Sequence, residues 1–423
     1  MSEAAESSLR LTAEERAMLA GEAGPGVRKA MEIVVALGQI YGAADLVPVA
    51  SVQVAGVSFK NLGQAGLEFL QEWAGQGARA RVPATLNPAG MDLVAWRELG
   101  FGEEFARRQQ AVLQAYMALG ITPTCTCTPY LIGHVPEFGQ HLAWSESSAV
   151  SFANSVLGAR TNREGGPSAL AAAITGRTAR YGLHLDENRL ATAVVEVRCP
   201  VRSEADLGAL GTWAGQRLQN RVPYLRFRQG EPGGGEWKTL GAAMAASGAV
   251  ALYHVEGVTP EARAADMIAP GAERLVVDDL APAYALLDGV AEEIDLVSLG
   301  CPHASLAELA AVADWLAGRR VHAALWITTA RATRQAAEAL GLVARLEAAG
   351  ARVVADTCMV VAPVAELGFR SLATNSAKMA LYARGHSGLA VRFGPVEQCL
   401  EAAVSGRWHC RGRSRTCPEP GER

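Results

Sequence analysis

The chain has 423 residues, half of them apolar and 19% charged, with a formal net charge of −4. That length exceeds what one hydrophobic core usually serves and predicts one composite domain or several lobes, and the near balance of charge excludes a nucleic-acid or anionic-membrane partner held by bulk charge. The N-terminal MSEAAESSLRLTAEERAMLAGEAG lacks a basic start followed by an apolar run, and no run of about 18 apolar residues follows it. The expected location is cytoplasmic and the expected partner is a small molecule or another subunit. In that compartment the eight cysteines are free thiols, buried small residues or metal ligands rather than a disulfide frame.

Helical periodicity spans residues 12–42, and VAGVSFKNLG (54–63) turns from an apolar run into a second helix through 63–77. This turn offers backbone amides, Ser58 and Lys60 in a setting suited to an anionic group, or it is an ordinary helix start. TLNPAGMD brings Asn87 before Pro88 at a turn. A helix over 103–119 leads into GITPTCTCTPYLIG (120–133), which carries Cys125 and Cys127. WSESSAVSFANS (144–155) and GARTNREGG (158–166) gather Glu146, Ser147, Ser148, Asn154, Thr161, Asn162, Arg163 and Glu164 between apolar and small neighbours, a density that reads as a lined pocket. A helix over 166–175 follows, and EPGGGEW (231–237) reads as a loop.

From about residue 250 the runs VALYHV, RLVV, IDLVSL, AALWITT, ARVVAD and GLAVRF alternate with Ala- and Leu-rich helical segments. This is the pattern of a parallel sheet with crossover helices. Cys301 lies between a predicted strand and a predicted helix in IDLVSLGCPHASLAEL, Cys358 lies just past a strand end in ARVVADTCMVVAP, and SLATNSAKMALYAR places Asn375, Ser376 and Lys378 at another such junction. Residues 1–409 are expected to form the catalytic region; the tail 410–423, with Cys410 and Cys417, is expected to be disordered and without a metal role.

Ligands of open parallel sheets bind beyond the carboxyl ends of the strands, so Cys301 and Cys358 are expected to face one cleft that Cys127 can reach. Three separated thiolates with a vacant fourth position suit an iron–sulfur centre or an open zinc site. Three buried structural thiols are the alternative, and spacing does not choose between them.

The segments LTAEERAMLAGEAGPGVRKAMEI, VAGVSFKNLGQAGLEFL, TCTPYL, WSESSAVSFANSVLGARTNREGGPSALAAAITG, RYGLHLDENR, SLGCPHAS, ADTCMVV and ATNSAKMALY occur in this order over about residues 10–407. Together they resemble the large subunit, or catalytic domain, of the aconitase X family. The resemblance implies an α/β aconitase-like fold with parallel-sheet βαβ units and no swivel domain, and a hydro-lyase with an iron–sulfur cluster held by Cys127, Cys301 and Cys358. Cys125 is an extra thiol that the family motif does not require.

By the same resemblance, substrate contacts fall on Gly56, Val57, Ser58, Asn87, Pro88, Glu146, Ser147 and Lys378; Lys60, Asn162 and Arg163 join them from the polar clusters. Dehydration of a β-hydroxy acid needs a proton taken from the α carbon and hydroxide expelled from the β carbon. An iron with an open position can act as a Lewis acid on that hydroxyl. Lys378 and amides near Ser58 can steady the carboxylate, and Glu146 is a candidate proton donor or orienting acceptor. The base resembles a serine on a swivelling domain, and no second domain of that size follows FGPVEQCLEAAVSGRW. A separate small subunit is therefore expected to supply it, giving a heterodimer.

Of the two family activities, the Ala-, Gly- and Arg-rich composition and the lack of an Arg-rich phosphate clamp point to dehydration of cis-3-hydroxy-L-proline to pyrroline-2-carboxylate. Dehydration of 5-phosphomevalonate to an anhydromevalonate phosphate is the alternative. A non-catalytic or zinc-binding metalloprotein is a further one.

Overall fold

The computed structural model describes residues 9–229 and 237–409; most of the EPGGGEW segment and the tail with Cys410 and Cys417 lie outside the described residues. The stretch expected as one helix over 12–42 is two, Ala13–Ala20 and Pro25–Ile40. Gly21 ends the first in the left-handed region, and Pro25 opens the second at a position where a missing N–H costs nothing. Thr12 and Glu15 close a capping box at the start.

Three parallel sheets carry the chain. The first is small, in the order Ala84–Leu86, Val52–Val54, Ala143–Trp144, with an antiparallel pair, Leu46–Pro48 and Arg177–Ala179, beside it. The buried, alanine-rich helix Gly166–Thr175 packs against this sheet and against Pro25–Ile40.

The second sheet runs His254–Val255, Pro223–Phe227, Ala191–Val197, Ile268–Val277. The regular alternation of strand and helix, expected from about residue 250, thus begins at Ala191. Helices Glu204–Leu218 and Trp237–Gly248 cross almost backbone to backbone, because Gly215 and Gly248 meet at the crossing: a Cβ on Gly248 would lie 1.9 Å from the Gly215 carbonyl oxygen. Larger residues there would force the helices apart.

The third sheet has five parallel strands in the order Ala351–Ala355, Ala324–Thr329, Leu296–Ala304, Ser371–Thr374, Ala390–Phe393. The chain starts at the central strand, builds two neighbours on one side, then returns and builds two on the other. That reversal makes the edge between Leu296–Ala304 and Ser371–Thr374 a topological switch point, where crossover helices diverge and leave a crevice. The expected α/β architecture is what the structure has. No described helix is long and apolar enough to cross a membrane.

Between the first and second sheets the buried Arg189 spends its whole guanidinium. Nε and Nη2 reach the two Glu261 oxygens at 2.6 and 2.8 Å, and the remaining N–H groups donate to Leu183, Asn154 and Ala159 carbonyls. Nearby, His141 and His184 share an Nδ1–Nδ1 hydrogen bond of 2.9 Å, in which one ring donates and the other accepts. Burial holds both imidazoles below their ordinary value, His184 down to about 3, with the other ring, Arg189 and Arg160 acting in the same direction on His184.

In the unfolded chain these rings take up protons near the ordinary imidazole value of 6.5, so acid favours unfolding. Their contribution is complete above that value and is lost as pH falls below it. The melting temperature of the full chain should fall between about pH 6.5 and 5, and His184→Gln should remove roughly 2 kcal/mol of that loss at pH 5. A wild-type and variant pair with parallel pH profiles would exclude this origin.

Candidate active site

At the switch point of the third sheet, facing the first, opens a cavity of about 280 Å³. Cys127, Cys301, Cys358, Glu146, Ser147 and Lys378 all line it. The chain brings them there from segments more than two hundred residues apart, and the local backbone explains how. The strand Leu296–Ala304 is not uniform: its register against Ala324–Thr329 shifts between Leu299 and Ala304, and Cys301 sits in the irregular stretch. Gly300 takes φ +84°, and a Cβ on it would lie 2.1 Å from the Thr328 carbonyl oxygen, so only glycine fits before this cysteine. Cys127 and Cys358 each follow, by two positions, a non-glycine residue in the left-handed region: Cys125 at φ +46° and Asp356 at φ +64°.

The loop bearing Asn87 is docked onto the Cys358 loop. Ala89 N donates to Asp356 O at 2.8 Å, and Arg331 pairs with both Asp356 and the fully buried Asp92, whose other oxygen accepts from Ala355 N. Ser58 occupies the N-cap position of helix Phe59–Gly75 without capping it; its hydroxyl donates to Val361 O at 2.9 Å instead. Lys60 Nζ donates to Ala362 O at 3.2 Å from the same turn.

Glu146 is the N-cap of helix Ser147–Ser155, accepting from Ala149 N at 2.8 Å and from the Ser148 hydroxyl, and it forms an ion pair with Lys378. Lys378 Nζ also donates to Ser147 Oγ at 3.3 Å. Burial pushes the Glu146 carboxyl up, yet the Lys378 charge, the Ser148 hydroxyl and the Ala149 amide outweigh it and hold the group below the usual carboxylate range. Burial pulls the Lys378 ammonium down, and Glu146 with the thiols of Cys301 and Cys127 more than reverses this. Both shifts favour the charged forms, a buried Glu146 carboxylate beside a buried Lys378 ammonium.

Burial likewise raises all three thiols, Cys358 to about 12, with Cys301 adding to the rise at Cys358 and Lys378 opposing it. His303, fully buried between them, is pushed down to about 4 by burial. Cys125 stays out of the cavity, buried in the core of the first sheet.

Asn87, Pro88, Lys60 and Arg163 line the remaining wall. Asn87 Oδ1 is buried there without a hydrogen-bond partner, an atom left for a ligand donor. Gly56, Val57 and Ser58 do not line the cavity; Gly56 turns at φ +82° and Gln109 holds the Val57 carbonyl, so that the turn presents Ala55, Lys60 and Asn61. Asn162 is not brought to the cavity: its amide donates to Tyr181 O and accepts from Leu183 N. Of the dense polar cluster around it, Asn154, Thr161 and Glu164 are likewise spent on internal hydrogen bonds. Asn375 donates to Glu204 and lines a different cavity.

Sequence reading passed over two buried residues that organise the site. Gln109 accepts from Phe59 N and Gly90 N and so ties the Ser58 and Asn87 turns together; nothing in ARRQQAVL distinguishes it from a solvent-facing glutamine. His303 had a signal, its place two residues after Cys301.

The donor set can be tested against a metal group. Three thiols share one cavity wall beside a cation, the soft donor chemistry that iron–sulfur clusters and zinc take. Among the described residues, no three His, Cys, Asp or Glu side chains converge closely enough to share a single ion. Cys127, Cys301 and Cys358 are the residues that would hold an iron–sulfur cluster, which would supply a Lewis-acidic iron there.

Family models described as the aconitase X first, second and third domains match residues 8–187, 191–284 and 294–405. The chain is 54% identical over 377 residues to the phosphomevalonate dehydratase large subunit of Methanothermobacter thermautotrophicus, covering 89% of this chain and 94% of that one. It is 40% identical over 417 residues to the cis-3-hydroxy-L-proline dehydratase of Pseudomonas aeruginosa, covering 94% of this chain and 70% of that one. The crystal structure of Thermococcus kodakaraensis aconitase X in its holo-form superposes with a TM-score of 0.87 at 48% identity, over 93% of this chain and all of that one. With its three domain models in order, a shared fold and three cysteines on one cavity, the chain belongs to the aconitase X family.

Proposed function

We propose that this chain, a dehydratase of the aconitase X type, is the large subunit of an enzyme that dehydrates 5-phosphomevalonate. This replaces the hydroxyproline substrate expected from composition. Relatives named for phosphomevalonate reach 54% identity, and those named for hydroxyproline reach 40%.

The observation that carries the reading is the charge of the cavity. Its lining holds three cations, Lys60, Arg163 and Lys378, against one carboxylate, Glu146. Lys378 is matched by Glu146, while Lys60 and Arg163 pair with no acid among the described residues. A zwitterionic imino acid brings an ammonium that such a wall repels, whereas a substrate with a carboxylate at one end and a phosphate at the other neutralises it.

In this reading Cys127, Cys301 and Cys358 hold an iron–sulfur cluster, which when bound supplies a Lewis acid for the leaving hydroxyl. The chain's own residues do the rest. Lys60 and Arg163 hold the phosphate, Lys378 sets the positive potential over the reacting carboxylate, and Asn87 Oδ1 accepts from a substrate hydroxyl. Glu146, kept ionised, orients Lys378 and Ser147 and serves as an acceptor rather than as the acid. The α proton goes to a serine of a separate small subunit, a reading supported by the words large subunit in the names of several relatives.

Three outcomes test this. Arg163→Met and Lys60→Met should each lower kcat/KM for 5-phosphomevalonate by roughly ten- to a hundred-fold, the worth of a charged hydrogen bond, with no comparable loss on unphosphorylated mevalonate. Equal losses on both substrates would remove these residues from the phosphate.

Cys301→Ser and Cys358→Ser should abolish visible absorbance and iron in anaerobically purified protein, and Cys125→Ser should keep both. Equal iron in all three variants would break the assignment of ligands.

Purified chain without the co-expressed small partner should turn over less than about a thousandth as fast as the complex, since its base is missing. Full activity from the chain alone would place the base within it, at Ser147 or Glu146 on the cavity wall.

A further inference from the structure

His303 is fully buried, and its four polar atoms are engaged by three distant segments. Its ring Nε2 lies 2.9 Å from Thr357 O, one residue before Cys358. A carbonyl can only accept, so the proton sits on Nε2 and the neutral ring leaves Nδ1 bare. Nδ1 lies 2.9 Å from Thr126 Oγ1, one residue before Cys127, and this hydroxyl must donate to it. Thr126 Oγ1 in turn accepts from Thr128 N at 3.1 Å, so every donor on the path has one acceptor. The main-chain N–H of His303 donates to Cys127 Sγ at 3.2 Å. Its carbonyl accepts from Lys238 Nζ at 3.2 Å, and Lys238 is anchored by Glu308.

Since His303 also follows Cys301 by two positions, one imidazole spans all three cysteine-bearing loops. These loops have no sheet hydrogen bonds between them at this point, and two of them rely on left-handed, non-glycine backbone at Cys125 and Asp356. Such conformations cost of order 1–3 kcal/mol each and persist only where surrounding contacts hold them. A bridge across the loops is what that requires.

We infer that His303 is a positioning residue: as the neutral, Nε2-protonated tautomer it bridges Thr126 and Thr357 and so sets the separation of Cys127, Cys301 and Cys358 for the metal group. Neither the sequence reading nor any matched relative's name assigns it a role. The inference rests on the iron–sulfur reading for what the cysteines hold, but its geometry concerns the chain alone.

The test uses the full-length chain and three variants. Thr126→Val removes only the Nδ1 partner. His303→Asn shortens the side chain and loses the Thr357 bond. His303→Gln keeps an N–H at the reach of Nε2 and is the conservative rescue. In anaerobically purified protein, Thr126→Val and His303→Asn should lose visible absorbance to an iron chelator roughly ten- to a hundred-fold faster than wild type, with His303→Gln between.

In metal-free chain, iodoacetamide labelling of Cys127 and Cys358, followed by mass spectrometry, should rise at least about ten-fold in the same two variants, while buried Cys399, remote from the cavity, keeps its wild-type rate. Unchanged labelling and unchanged chelator loss would overturn the inference. An equal rise at Cys399 would overturn it too, making His303 a general stability residue. A wild-type chain without iron or sulfide would overturn the cluster reading alone, because the labelling still reports whether His303 holds the loops.

Discussion

A lysine and a glutamate taken out of water together set the terms for the rest of the cavity. Glu146 comes from the first domain and Lys378 from the last, and their pair forms only when the first and third sheets face each other. Neither charge is tolerable alone at that depth: leaving one buried without the other costs about 3–5 kcal/mol. The pair therefore works as a check on assembly as well as a part of the site. It is also shielded on both sides, Glu146 by a helix N-terminus and the Ser148 hydroxyl, Lys378 by Ser147 and the neighbouring sulfurs. The cation held there opposes at all three thiols the rise that burial imposes, without reversing it.

Around that pair the site is built from backbone ends rather than from one motif. The reversal of strand order at Leu296–Ala304 opens the crevice, and each cysteine loop enters it through a residue in the left-handed region. The loops of the first domain are then locked onto the third by bonds that cross most of the chain. Ser58 to Val361, Lys60 to Ala362 and Ala89 to Asp356 are examples, with the Asp92–Arg331–Asp356 network behind them. These bonds fix the sides that carry the cysteines, and the exposed Lys60 and Arg163 put positive charge on the cavity's open side.

The third sheet was legible because its strands are buried on both faces, so IDLVSL, AALWITT, ARVVAD and GLAVRF read as unbroken apolar, β-branched runs. The second sheet was not singled out before residue 250, although Ala191–Val197 and Pro223–Phe227 have the same texture. The helices that follow these two strands, Glu204–Leu218 and Trp237–Gly248, are glycine- and alanine-rich, and their close crossing is invisible in a hydropathy pattern. The helix over 12–42 was overextended because two glycines and a proline interrupt an otherwise continuous apolar period.

By itself the sequence determined the residue chemistry of the site: which thiols, which carboxylate and which lysine are present, and that Cys301, Cys358 and Lys378 stand near strand ends, because strand ends follow from local pattern. Only the tertiary structure decided which of them meet. Asn162 and Glu164 are as polar as Arg163, yet the first two turn inward to satisfy backbone and hydroxyl partners and the third lines the cavity. Cys125 and Cys127 differ in sequence by two positions; one is sealed in an apolar core and the other faces the ligand space. The direction of a side chain depends on which buried polar group needs a partner, and those partners lie far away in the chain, as Thr126, His303 and Thr357 do.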